Sequence, residues 1–267
     1  MNKIKFNRYP GGVSHCLTMS YDDGPKEDAR LLDIFNANGI KGTFHLNSGS
    51  IFSRYPEDTL ADVYAGHEIS CHMASHPFPV DLPDMANLLE IQEDRRILER
   101  AAGYVVRGMS YPFGNYSAHV IGLLRTAGIE YSRTTRATNA YNLPEDFMEW
   151  HPTCHHNGGI VEKFADFITE DRWGRPKLFY VWGHSFEFPR DDNWGMMEEF
   201  CKLAGGRDDI WYATNIEIYE YIEDFKRLIS SADGTTVKNP TARTLWFKRD
   251  AEIRSIAAGE TLRFEEE

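Results

Sequence analysis

The sequence predicts an α/β barrel of repeated strand–helix units with a short β appendage at its C-terminal end. Three observations carry this. Apolar strand-like runs alternate with helical patterns of about 10–15 residues, the mark of βα units in a mainly parallel sheet. No G-x-G-x-x-G follows the first strand, which counts against a dinucleotide-binding sheet. The polar residues with chemical potential fall at the C-terminal ends of predicted strands, where barrel active sites lie. With 267 residues and 42% hydrophobic content, one large domain fits better than two small ones.

In chain order, Cys16-Leu17-Thr18-Met19-Ser20 reads as a buried strand ending at two aspartates. Pro25 and Glu27 open a helix through Leu31, Leu32 and Phe35 that closes near Asn38-Gly39. Residues 43–46 form the next strand, 57–64 a helix stopped by Gly66, and 67–71 a strand delivering His72. A long amphipathic helix covers 85–101 and ends at Gly103, followed by a strand over 104–109. Then come a helix over 118–127, a strand over 129–131, an irregular stretch through Asn142, and a strand-like run at 147–150. A helix at 161–169 leads to a strand at 178–182, and helices follow at 194–203 and 216–228. The polar tail from Ser230 holds two or three short β-segments around Gly234 and Gly259, so the division is a barrel over 1–230 and a small β-rich extension over 231–267 packed on it.

The formal charge of −12 argues against a nucleic-acid partner, whose phosphates it would repel. Cys16, Cys71, Cys154 and Cys201 lack CxxC spacing; the first two read as buried thiols, and no disulfide framework follows. The N-terminus lacks a signal-peptide core and no window approaches a membrane span. The expectation is a cytoplasmic protein as the sequence stands, or a secreted or periplasmic one if a leader has been removed. Oligomeric state is left open.

Ser20-Tyr21-Asp22-Asp23-Gly24-Pro25 and His72-Met73-Ala74-Ser75-His76-Pro77 are the most informative segments. Asp23, His72 and His76 are the ligand types of a catalytic zinc site that keeps one position for water. One helical turn would set His72 and His76 on the same face. The plainer alternative is that both aspartates cap the following helix, which explains one carboxylate more easily than two. Asp22 then reads as a general base, with Arg107 at a strand end to keep it ionised. In Ser110-Tyr111-Pro112-Phe113-Gly114, the proline aims the Tyr111 N–H toward a developing oxyanion. His184, after the strand ending in Trp182-Gly183, is the general-acid candidate. Tyr111, Phe113 and Trp150 are the candidate sugar-stacking residues. His45 ends a strand and lines the cleft or competes as a ligand, whereas His67 reads as structural. His151, Cys154, His155 and His156 read as a loop near the cleft rather than a second metal site or a thiol nucleophile. The absence of G-x-S-x-G excludes a serine-esterase elbow.

These segments resemble the motifs of the polysaccharide deacetylases of carbohydrate esterase family 4. The resemblance covers roughly residues 10–225 and implies a distorted (β/α) barrel of seven or eight strands. It gives Asp22 the role of base, completes a metal triad of Asp23, His72 and His76, and matches residues 107–112 to a motif supplying an arginine tether and a backbone oxyanion donor at Tyr111. It matches Trp150 to a groove tryptophan and His184 to the acid. No aspartate accompanies Trp150 to orient that acid; Glu149 is the nearest carboxylate, and Glu187 stands three residues beyond His184. The implied activity is hydrolysis of N-acetyl groups on a sugar or polysaccharide with one divalent metal: zinc by default, cobalt or nickel as alternatives. The rivals are an O-acetyl esterase of the xylan type, a small-molecule amidohydrolase, and a glycan-binding barrel without activity.

Overall fold

The computed structural model describes residues 4–169, 174–249 and 252–264. Chain order gives β1 (His15–Asp22), α1 (Asp28–Ala37), β2 (Gly42–Leu46), α2 (Ser48–Ile51), α3 (Leu60–Val63), β3 (Glu68–Cys71), α4 (Asp84–Ala102), β4 (Gly108–Ser110), α5 (Ala118–Thr126) and β5 (Tyr131–Arg133). It continues through β6 (Cys154–His155), α6 (Ile160–Phe167), β7 (Lys177–Gly183), α7 (Glu187–Arg190), α8 (Trp194–Ala204), β8 (Ile210–Tyr212) and α9 (Asn215–Lys226).

The strands form one curved sheet in the order β5-β4-β3-β2-β1-β7-β6, with β8 paired to the start of β1. Every pairing in it is parallel. Residues 150–155 draw its ends together: Trp150 bridges to Arg133 on one side, and β6 pairs with β7 on the other. The result is a distorted (β/α) barrel.

β1 shows why the sheet curls around a polar interior. All eight of its residues are buried, as expected of a strand covered on both faces. With a period of two, Leu17, Met19 and Tyr21 face the apolar core against the helices. Thr18, Ser20 and Asp22 point the other way, where Thr18 Oγ1 donates to Asn215 and Ser20 Oγ meets His45 Nε2 at 3.0 Å. Tyr131, Trp150 and Tyr180 fill a second apolar cluster, with Trp150 edge-on to the other two.

Most helices keep their expected bounds, because their stop signals are local. Gly103 ends α4 in the left-handed region at φ 78°, and a Thr214–Glu217 capping box opens α9. The expected helix at 57–64 is instead a 3-10 turn at Glu57–Thr59 followed by the single-turn α3. The expected strand at 104–109 shrinks to β4, and that at 129–131 moves to β5. The run at 147–150 is a 3-10 turn, with Trp150 making only a bridge.

The C-terminal segment forms a three-stranded sheet, β9 (Ile229–Ser230), β10 (Thr236–Lys238) and β13 (Thr261–Arg263), and a hairpin of β11 (Leu245–Arg249) with β12 (Glu252–Ile256). Val237, Leu245, Phe247 and Ile256 share a core with Tyr221 and Phe225 of α9. Asn7 of the N-terminal arm exchanges two hydrogen bonds with the Lys248 backbone. All four cysteines are buried and free. No described helix is long and apolar enough to cross a membrane.

Candidate active site

Strand register builds the site. Asp22 is level with His45, Leu46 with Cys71, and Ser110 with Arg133, so the C-terminal ends of β1 to β5 make one rim. Tyr21 is level with Gly183, which places His184 on the same rim from β7. The turns leaving the strands are tight. Asp23, Met73, His76 and Phe113 all have positive φ, and they are four of the six described non-glycine residues that do. Such backbone strain persists only where surrounding contacts hold it, and it gathers at functional sites.

Asp23 and the His72–His76 segment come together. His72 Nε2 and His76 Nε2 each lie 3.6 Å from Asp23 Oδ1. The one-helical-turn expectation for the histidine pair fails: residues 72–76 are a non-helical turn with Met73 at φ 59° and His76 at φ 56°. Asn47 Nδ2 donates to the carbonyls of His72 and Met73, while Asp94 of α4 accepts from the Ser48 and His72 N–H groups. Glu90 accepts from Ser75 twice. These braces, invisible in sequence, replace the helix.

The donor set fits a divalent ion. An ion about 2.1 Å from each donor would see a 3.6 Å pair at about 118°, near tetrahedral. His72 Nδ1 sits 2.8 Å from the Ser110 carbonyl, so its proton belongs on Nδ1 and the Nε2 lone pair faces Asp23. Burial also pushes the His72 pKa down, against the pull of Asp22 and Asp23, which favours the neutral ligand form.

Asp22 is buried, and its partner is not Arg107. Ser110 Oγ donates to Asp22 Oδ1 at 3.0 Å, and the fully buried Arg133 donates to Oδ2. Burial alone would raise the Asp22 pKa; Arg133, then His72, His45 and His184, overcome it and hold the carboxyl well below the usual range. Arg107 precedes β4, so the length of that strand, about 10 Å, separates it from the rim. It pairs there with Glu130 at 2.5 Å and with Glu220. The arginine that sequence reading missed carries one signal: Arg133 ends a buried strand, and the guanidinium lies over the Trp182 ring with Cζ 4.5 Å from its centroid.

Tyr111 and Trp150 are corrections too. Tyr111 is buried, its N–H donates to the Arg133 carbonyl at 3.0 Å, and its hydroxyl donates to the Met148 carbonyl at 2.8 Å. Neither donor is free for an oxyanion, and the ring cannot meet a sugar. Trp150, 1% exposed, packs inside the barrel. Phe113 does reach the surface at 55% exposure, stacked 3.9 Å from Phe78 and edge-on to His76. Phe186 is the exposed aromatic on the other side, beside His184.

His184 Nε2 lies 4.0 Å from both Asp22 Oδ2 and Asp23 Oδ2, and its Nδ1 lies 3.5 Å from Glu187 Oε1. Burial would lower its pKa, but Glu187, Asp22 and Asp23 outweigh burial and raise it. Ser185 Oγ donates to Asp28 of α1, tying this loop to the first helix. His45 is buried against Ser20 beside the site, and the His67 Nδ1 accepts the Gly42 N–H. Cys154 is buried with its thiol pushed up to about 12, chiefly by burial, which removes it as a nucleophile.

Comparison with known proteins completes the picture. Residues 11–132 match the model of the polysaccharide deacetylase family, and they contain Asp22, Asp23, His72 and His76. That stretch is therefore similar to the polysaccharide deacetylase family over a little under half of the chain. The chain is 27% identical over 158 residues to chitin deacetylase 1 of Cryptococcus neoformans var. grubii, a match covering 57% of this chain and only 33% of that protein. A solved polysaccharide deacetylase-type structure from Mycobacterium smegmatis superposes with a TM-score of 0.61 at 18% identity, over 84% of this chain and 94% of the other. A Bacillus anthracis protein described as a pseudoenzyme of carbohydrate esterase family 4 superposes with a TM-score of 0.51 at 14% identity, over 77% of this chain and 66% of that one.

 A mutant of that protein with restored activity superposes equally well, at 0.51 over 77% of this chain and 68% of the other. Fold likeness at this distance therefore does not carry activity, which has to be argued from side chains.

Proposed function

We propose that the chain is a metal-dependent hydrolase that removes N-acetyl groups from an N-acetylated sugar or polysaccharide. The observation that carries this is the buried, arginine-held Asp22 set between the Asp23–His72–His76 group and His184. The name of the Cryptococcus relative, a chitin deacetylase, supports the same reading and favours a chitin-like substrate.

Asp23, His72 and His76 would hold the ion, zinc being the default for two imidazoles and a carboxylate. A bound divalent ion supplies Lewis-acid polarisation of the acetyl carbonyl and acidifies water. Asp22, kept ionised by Arg133, takes the proton of the attacking water. His184, whose pKa the carboxylates around it raise, gives a proton to the departing amine. Glu187 orients it from the Nδ1 side, in the place of the missing aspartate. Phe113 and Phe186 offer apolar faces for a sugar ring on either side. An acid beside the site favours an amide over an ester, since an amine leaves poorly until protonated.

The test is acetate release from chitooligosaccharides, peptidoglycan fragments and acetylated xylan, with and without chelator. Chelator-sensitive release from the N-acetylated substrates is expected. Release from xylan alone would replace the proposal with the O-acetyl esterase, and no release from any substrate with metal supplied would overturn it.

A further inference from the structure

We propose that His155, His156 and Glu187 form a second divalent-cation site, suited to zinc or a similar transition metal, behind His184. It shares no residue with the Asp23–His72–His76 group.

Three donors converge there. His155 Nε2 lies 2.8 Å and His156 Nε2 3.2 Å from the same oxygen, Glu187 Oε2. Both separations are of hydrogen-bond length. Yet Glu187 Oε2 and both ring nitrogens of His156 are buried without a hydrogen-bond partner among the described residues. Donors that are close but not aimed at one another share a target beside them. An ion about 2.1 Å from each donor would see these pairs at about 84° and about 99°, angles that suit five- or six-coordinate geometry better than a tetrahedron.

The surroundings fit. His156 is fully buried between Tyr21 and Phe188, stacked on both. A cavity of about 410 Å³, lined in part by His156, Asn157, Asn193, Glu162 and Glu199, gives a cation an acidic way in. Asn193 Oδ1 is another buried acceptor without a partner there. One contact opposes the site: the Asn157 N–H meets His155 Nδ1 at 3.2 Å, which puts the imidazole proton on Nε2. Ligation through Nε2 moves that proton to Nδ1 and breaks the contact, so His155 is the weakest ligand. Glu187 Oε1 remains on the His184 side, so one carboxylate joins the ion to the acid candidate.

The experiment is a zinc titration of the chelator-stripped full chain, with bound metal counted by mass spectrometry and folding checked by circular dichroism. Two equivalents are expected in the wild type, one in each of His76→Ala, His155→Ala and Glu187→Gln, and none in His76→Ala/His155→Ala. A single wild-type equivalent that His76→Ala abolishes and His155→Ala leaves intact overturns the second site and makes the two histidines a clamp on Glu187. Two equivalents that survive both His155→Ala and Glu187→Gln overturn it as well. A single equivalent lost in His155→Ala but kept in His76→Ala leaves this site standing and removes the first. His155 is half-buried, so its truncation leaves the core intact even if Glu187→Gln does not fold.

Discussion

At the scale of single residues, the exchange of Arg107 for Arg133 gives the sharpest test. Arg133 is fully buried against a buried carboxylate, so removing it leaves an uncompensated charge. Arg133→Met is expected to cost about 3–5 kcal/mol of stability, and Arg133→Lys to fold but lose at least about tenfold in turnover, since one ammonium cannot reproduce the guanidinium geometry. Arg107→Ala is expected to change turnover by less than about twofold and stability by at most about 1 kcal/mol, because its ion pairs are partly exposed. Denaturant melts and acetate release on the three variants check this; equal losses from Arg107→Ala and Arg133→Lys would refute it. His184→Ala is expected to keep zinc while losing about 10²-fold or more in turnover, whereas Asp23→Ala should lose the zinc bound by its own group. Unchanged turnover in the first, or undiminished zinc in the second, removes the assigned role.

At the scale of elements, the two motifs at 20–25 and 72–77 were legible because each is a short segment whose residue types alone suggest ligands. Strand bounds were less legible. β4 and β5 are three residues each, and a shift of two residues decides whether Arg107 or Arg133 stands on the rim. Trp150 was expected in the groove through its match to the family's groove tryptophan, because sequence does not show which side of the barrel wall a large aromatic fills. The braces on the 72–76 turn come from Asn47, Glu90 and Asp94, which only the folded chain brings near. β7 carries a test of such packing. A Cβ added at Gly183 would sit 2.1 Å from His156 Nδ1, against a ring already held between Tyr21 and Phe188. Gly183→Ala is therefore expected to cost about 1–3 kcal/mol by overpacking, seen as a lower denaturant midpoint, whereas Gly122→Ala on α5 meets open space and should be neutral or slightly stabilising. Equal midpoints for the two variants would mean that β7 yields more readily than this packing implies.

For the whole molecule, Glu68 joins parts of the barrel far apart in sequence. Its carboxylate accepts from Tyr131 on β5, Thr43 on β2 and the Ile216 N–H at the start of α9. Burial pushes its pKa up to about 7, although those three donors pull it back. A carboxyl raised in the folded state above its ordinary value of 4.5 binds its proton more tightly folded than unfolded. Its contribution to stability is therefore complete below about pH 4.5 and is lost as pH rises through about 7. The loss is on the order of 3 kcal/mol by pH 8. Glu68→Gln keeps the shape, and its amide can donate to the Tyr131 hydroxyl, which in turn has Ser70 Oγ 3.2 Å away. The variant is expected to fold and to flatten the decline in unfolding free energy between pH 5 and 8, measured by urea titration of the metal-stripped protein so that ion binding does not contribute. A wild-type slope that persists unchanged in Glu68→Gln would show that this carboxylate is ionised throughout, with its three donors winning over burial.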